Sequence, residues 1–301
     1  MQTVLEWGVS VIVAVQSSRS AYLDQVFVAI TNLGSEYFYF AALPFICTVL
    51  SRTIGIRIAL TILASVMINS LIKNLVGEPR PFTIDPSVAL IAETGFGFPS
   101  GHTQQAALFW GLAYHYIRLW WIAALGATFV GLVGLSRIYL GVHYPTDVLG
   151  ALVIAAIILF NYRLIVKHGH NLWRPSSHIP LFGLVMVIAI LGSIAIPSKD
   201  MISAAGLGSG LIAGLVFAVP IIPLSASWRR RLITAGATAV QLATIFFGLK
   251  LAFPSKGAPY YELFSFIRFF LCGLILNWFP LFLDSKNFQR RSKMEVSLKA
   301  G

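Results

Sequence analysis

The sequence predicts an all-α protein: a polytopic membrane helix bundle of about nine transmembrane helices. Two features of its composition predict it. Of the 301 residues 57% are hydrophobic and only 11% are charged, against about 25% charged in a soluble domain. Mean hydropathy is +0.80. The third observation is periodic: apolar runs approaching the ~20 residues that a span requires are separated by short connections that hold most of the charge.

In chain order, residues 2–16 and 20–33 form helices too broken to span, with Glu6 interrupting the first, and are expected at the membrane interface. Spans are expected at 36–51, 57–75, 103–117, 120–138, 146–163, 179–197, 201–222, 232–250 and 263–283. Those at 36–51 and 103–117 are short. The span at 57–75 ends at Lys73, beyond which Gly77 and Pro79 break the helix. The span at 103–117 opens after Pro99-Ser100-Gly101-His102, and the one at 146–163 follows Pro145, which suits a first helical turn. Glycines 206, 208, 210 and 214 in the span at 201–222 suit close helix packing in a bilayer.

The formal net charge of +11 does not point to nucleic acid, because the basic residues flank apolar spans and set orientation instead. Taken over alternate connections, 14 of the 22 Lys and Arg fall in one set: Arg52, Arg57, Arg118, Arg163, Lys167, Arg174, Arg229 to Arg231 and the tail beyond Asp284. The other set holds Arg19, Lys73, Arg80, Arg137, Lys199, Lys250, Lys256 and Arg268. The positive-inside rule places the first set in the cytoplasm, the N-terminus outside and the C-terminus inside. Cys47 and Cys272 sit in apolar runs and read as buried free thiols. No Cys/His cluster has zinc spacing, and the absence of a basic n-region argues against a cleaved signal peptide. His115, His168, His170 and His178 fall on the cytoplasmic side and read as interfacial.

Three clusters then share the outer face: Lys73 with Arg80-Pro81, Pro99-Ser100-Gly101-His102, and Ser136-Arg137 with His143 and Asp147. Arginine offers a planar fork for two phosphate oxygens and lysine a point charge. Ser100 and Gly101 at a helix start present amides to an anion, although a simple serine cap reads the same residues. His102 is placed to protonate a leaving oxygen. His143 and Asp147, four apart, can meet across one helical turn, leaving one imidazole nitrogen held and the other free for attack. The blander reading, a capping aspartate beside a surface histidine, does not explain why Arg137 and the other clusters lie on the same face.

These motifs resemble the type 2 phosphatidic acid phosphatase superfamily, whose pattern is Lys-x6-Arg-Pro, Pro-Ser-Gly-His and Ser-Arg-x5-His-x3-Asp. All three parts are present in order between residues 73 and 147, and the family core is expected to extend to about 165. The resemblance implies a six-helix phosphatase core. It implies that His143 is the nucleophile, that Asp147 orients it, and that His102 is the acid–base residue. It also implies that Lys73, Arg80, Ser100, Gly101 and Arg137 hold the phosphoryl group without a metal or cofactor. The expected nine spans resemble the glucose-6-phosphatase and sphingosine-1-phosphate phosphatase branches of that superfamily.

The expected organisation is N-terminal interfacial helices at 1–35, a core at 36–165, further spans at 179–283 and a basic cytoplasmic tail at 284–301. The expected activity is metal-independent hydrolysis of a lipid phosphate or polyprenyl diphosphate at the outer face of a plasma, inner or endoplasmic-reticulum membrane. A phosphotransferase passing the phosphate to an alcohol is the alternative within catalysis. An anion transporter is the alternative from another class, and it has no need of an aspartate-oriented histidine. Release of inorganic phosphate from a lipid phosphate separates these classes. The sequence is silent on oligomeric state and on the choice of lipid.

Overall fold

A computed structural model describes residues 2–168, 178–217 and 227–276. The tail at 284–301, the C-terminal ends of the spans expected at 201–222 and 263–283, and His170 and Arg174 lie outside the described residues. Among the described residues all regular structure is helical. The elements are α1 (Gln2–Gln16), α2 (Ala21–Asn32), α3 (Glu36–Phe45, widening into a π-turn over Ile46–Leu50), α4 (Arg52–Val76) and the short α5 (Pro81–Ile84). They continue with α6 (Gly101–Ile117), α7 (Trp120–Tyr139), α8 (Pro145–His168), α9 (His178–Ala195), α10 (Lys199–Phe217), α11 (Trp228–Ala252) and α12 (residues 261–276).

Four stretches are long and apolar enough to cross a membrane: Arg52–Ile84, Trp120–Tyr139, Pro145–Lys167 and Trp228–Ala252. The expected count of nine is therefore not reached among the described residues. Length and polarity are the reason. α6 has 17 residues and buries Thr103, Gln104 and Gln105 near its start, α3 has 10 residues, and α10 opens on Lys199-Asp200. α4, with 25 residues, is about 37 Å long at ~1.5 Å per residue and exceeds the ~30 Å hydrocarbon core.

The chain divides into two compact units. The first comprises residues 1–39 and 64–169, the second 40–63 and 170–301. In the first, α6 packs on both α7 and α8, and α1 and α2 lie against α7. Leu5 and Ile12 of α1 enter a buried cluster with Val88 and Tyr144, and Phe27 of α2 stacks on Tyr139 at 4.0 Å between ring centroids. Gln16 closes α1 by donating to the carbonyls of Val88 (2.9 Å) and Tyr139 (2.7 Å). The N-terminal helices thus brace the segment before the second motif, at Val88, and the turn within the third, at Tyr139 and Tyr144.

In the second unit, α10 packs on α9 and on α12, where α10 lies backbone to backbone against Phe266 and Phe270 at Gly206 and Gly210. Arg268 was counted with the outer connections, although it falls within the span expected at 263–283. It lies inside α12 instead, 8% exposed, its guanidinium over the rings of Phe246 and Phe269. Cys47 and Cys272 are buried free thiols, as their apolar surroundings imply.

Candidate active site

The site is built at one end of the first unit, from the C-terminal end of α4, the loop between α5 and α6, and the turn between α7 and α8. α4 stops where Gly77 takes φ +65° and returns its N–H to the Lys73 carbonyl (2.9 Å). Arg80 caps the next short helix in extended conformation, with Pro81 at its first position. The break expected at Gly77 and Pro79 therefore turns the chain after Lys73. Lys73 Nζ reaches back to the Phe96 carbonyl at 3.1 Å.

Arg80 is 3% exposed and laced into the surrounding backbone. Nε donates to Gly95 O, Nη2 to Thr94 O and Nη1 to Val142 O, each at 2.9 Å. Nη1 also stands 3.4 Å from His143 Nε2. A guanidinium only donates, so Nε2 presents its lone pair and the ring proton sits on Nδ1. Nδ1 in turn donates to Asp147 Oδ2 at 3.0 Å, the i,i+4 contact that the spacing predicts. The same Oδ2 accepts the Tyr144 N–H at 3.0 Å, so the carboxylate is held from two sides.

The turn that delivers His143 depends on Arg137 and Gly141. The Arg137 carbonyl accepts the N–H groups of Val142 (3.2 Å) and His143 (3.3 Å), curling the chain back beside the Arg137 side chain. Gly141 has φ +70°, and a Cβ there would overlap the Val88 carbonyl oxygen. Only glycine fits. Arg137 is 1% exposed. Its Nη1 donates to Thr31 Oγ1 at 2.9 Å and its Nη2 to Glu93 Oε2 at 2.6 Å. Glu93 Oε1 also lies 4.0 Å from Arg80 Nη2.

The helix start at Ser100-Gly101 departs from the expectation in one respect. The Ser100 N–H is not presented to an anion, because it donates to the Asp147 backbone carbonyl at 3.1 Å. Its hydroxyl pairs with Thr103 Oγ1 at 3.0 Å. Ser100 thus ties the second motif to α8. Gly101 opens α6 under Asn69, whose amide donates to the Pro99 carbonyl (3.3 Å) and to Gln104 Oε1 (2.9 Å). His102 follows on the first turn, close enough for its charge to act on His143. Ser136 is buried and donates to the Val133 carbonyl within its own helix.

Burial holds the His143 imidazole well below the usual histidine range, and the cations Arg137, Arg80 and Lys73, with His102, push it the same way. The ring is therefore neutral near neutral pH, which keeps Nε2 nucleophilic. For Glu93, burial alone raises the carboxyl, but Arg137, then Arg80 and Lys73, outweigh it and hold the group below the ordinary carboxylate range. Two side chains that hold Arg137 were not among the sequence candidates: Thr31 and Glu93. Glu93 alone carried a signal, as the single charged residue between Pro86 and Pro99. Chemically, the arrangement offers an oriented neutral imidazole, a second histidine and three cations around one point.

The chain matches the family model of the PAP2 superfamily over residues 54–170. It is 29% identical over 236 residues to a Dictyostelium discoideum protein named probable sphingosine-1-phosphate phosphatase, covering 68% of this chain and 56% of that protein's length. It is 34% identical to the undecaprenyl-diphosphatase BcrC of Bacillus subtilis, covering 48% of this chain and 75% of the relative. It is 30% identical to phosphatidylglycerophosphatase B of the same organism, covering 47% and 74%.

Proposed function

Because this chain belongs to the PAP2 superfamily, we propose that it is an integral-membrane phosphatase that hydrolyses a lipid phosphate or polyprenyl diphosphate through a phosphohistidine at His143. The observation that carries the reading is the His143–Asp147 contact of 3.0 Å together with the Nε2 lone pair facing Arg80. Nε2 attacks phosphorus, and the P–O bond to the lipid alcohol, or to the bridging oxygen of a diphosphate, breaks. His102 gives its proton to the departing oxygen. In the second half His102 takes a proton from water, the water oxygen bonds to phosphorus, and the P–N bond breaks to release phosphate and restore His143. Asp147 balances the positive charge that the imidazole carries in between.

Lys73, Arg80 and Arg137 are the cations proposed to neutralise the phosphoryl oxygens, the role a metal ion fills in other phosphatases, so the reaction is proposed to need none. The names of the relatives, which include a sphingoid phosphate, phosphatidylglycerophosphate and a polyprenyl diphosphate as substrates, support a lipid phosphate with a long apolar chain. The excess of basic residues on the opposite set of connections supports a site on the outer face.

The test is release of inorganic phosphate in detergent from a panel of these lipid classes, by the wild type and by His143→Ala. Loss of the nucleophile should lower turnover by at least ~10³ while the protein stays folded. A folded His143→Ala protein with near wild-type release overturns the assignment. Complete loss of wild-type activity on chelation, restored by Mg²⁺ or Zn²⁺, overturns the metal-free reading.

A further inference from the structure

The second unit holds a buried cation that the proposed chemistry does not use. Arg268 lies on α12, seven residues beyond the start of that helix at 261. It is 8% exposed, and the neighbouring Ser265 is 6% exposed. Its guanidinium carbon stands 5.1 Å from the centroid of the Phe246 ring on α11 and 5.2 Å from that of Phe269 on its own helix. The one hydrogen bond it makes among the described residues is long, from Nη2 to Ser265 Oγ at 3.4 Å. Nε is buried and has no acceptor. No carboxylate among the described residues pairs with it.

Aromatic faces attract a cation, but the five N–H donors of a guanidinium lie in its own plane and still require acceptors. An arginine buried among apolar groups without an anion leaves most of its lost hydration unreplaced. Within a stretch read as a membrane span, an ionisable side chain of this kind marks a functional site. The charge goes no deeper into the helix pair: one turn on, Cys272 is fully buried, and Leu276 beyond it is 4% exposed.

We propose that Arg268, with the Ser265 hydroxyl, binds the phosphate group of a membrane lipid at the seam between α11 and α12. The planar fork of arginine matches two phosphate oxygens, and the serine hydroxyl beside Nη2 supplies a further donor. Phe253 meets Phe264 and Phe246 meets Phe269, so the two helices run antiparallel, with the end of α11 beside the start of α12. At ~1.5 Å per residue Arg268 lies about 10 Å along α12 from that end, nearer headgroup depth than the middle of a ~30 Å hydrocarbon core. Phe247, Leu251 and Leu263 are exposed near the same end. Acyl chains can lie on that apolar surface, whereas inorganic phosphate gains nothing from it. The site lies wholly in the second unit, and its occupancy does not depend on the chemistry at His143.

The experiment uses the full chain, stripped of lipid in an uncharged detergent, and follows binding by native mass spectrometry and by the melting temperature. Three probes are added separately: dioleoyl phosphatidylglycerol, whose phosphate is a diester; dioleoylglycerol, with the same chains and no phosphate; and inorganic phosphate. The wild type should bind phosphatidylglycerol at least about tenfold more tightly than Arg268→Leu or Arg268→Gln. Phosphatidylglycerol should raise the melting temperature of the wild type more than that of either variant, and dioleoylglycerol should not separate the three proteins. Without lipid, Arg268→Leu should melt no lower than the wild type, because it removes a charge that no protein group answers. Equal phosphatidylglycerol binding by the wild type and Arg268→Gln overturns the inference. So does a lipid-free Arg268→Leu that fails to fold or melts well below the wild type, since the guanidinium would then be a structural element satisfied by its rings. Inorganic phosphate that stabilises the wild type as much as the lipid does, with the gain lost in Arg268→Gln, overturns the lipid assignment in favour of the free anion.

Discussion

Glu93 closes a 2.6 Å ion pair on Arg137, one of the three cations proposed to receive phosphate. A phosphoryl dianion arriving at this fork meets a carboxylate already there. With Glu93 29% exposed, water screens the pair, and its worth is on the order of 1 kcal/mol. Glu93→Gln should therefore tighten inhibition by inorganic phosphate by roughly threefold to tenfold, because one negative charge leaves the site. Product-inhibition constants for the two proteins measure this. Weaker inhibition in the variant would show that Glu93 orients Arg137 for the anion and does not compete with it.

Thr31 supports the same arginine from α2. Its hydroxyl accepts from Arg137 Nη1 at 2.9 Å, in a place where Arg137 is 1% exposed. Thr31→Val keeps the shape and leaves a buried guanidinium N–H unpartnered, at a cost of about 1–3 kcal/mol. The expected result is a loss of about tenfold or more in kcat/KM together with a lower melting temperature. Wild-type values for both would remove α2 from the support of the site.

The pH dependence of stability has a definite sign. His143 is held neutral in the fold, well below the usual histidine range, while in the unfolded chain it protonates near ~6.5. Below that pH the unfolded state binds the extra proton, so stability falls as pH falls. Thermal unfolding in detergent should show this acid-side loss in the wild type and a shallower one in His143→Gln. Equal slopes would show that His143 charges freely in the folded protein.

Gly141→Ala should abolish folding of the α7–α8 turn. The added Cβ would overlap the Val88 carbonyl on a backbone with φ +70°. Neither the strain nor the overlap can be relieved without moving His143. The measurement is the yield of monodisperse protein together with phosphate release, and a folded, fully active variant would contradict the geometry.

Sidedness can be read with Ser87→Cys, in the exposed turn after Asp85, and Ser292→Cys in the basic tail, in a background lacking Cys47 and Cys272. An impermeant thiol reagent applied outside intact, correctly oriented vesicles should label only the first. Labelling of the second alone would invert the topology and move the site to the cytoplasmic face.

The candidate site residues were legible because their spacing is local. His143 and Asp147 meet across one helical turn, and Gly77 with Pro79 ends α4 where the chain must return to Lys73. Span counting was less secure. It scores apolar runs, whereas α6 draws Gln104 and Gln105 into a buried polar network with Ser65 and Asn69 of α4. Arg268 was miscounted for a related reason: a charge inside an apolar helix enters the orientation count as a connection residue until Phe246 and Phe269 are seen to cover it.

The sequence by itself determined the helical class, the membrane setting, the eight candidate site residues and the short-range contacts among them, since each follows from composition or from spacing within a turn or two. Only the tertiary structure decided who supports those residues. Thr31 lies 106 residues from Arg137, and Glu93 lies 44 from it. Such contacts leave no periodic trace in the chain. They exist because burying an arginine or a carboxylate leaves donors and acceptors that must find partners, and the partners come from whichever segments the packing of α1, α2, α6 and α8 brings within reach.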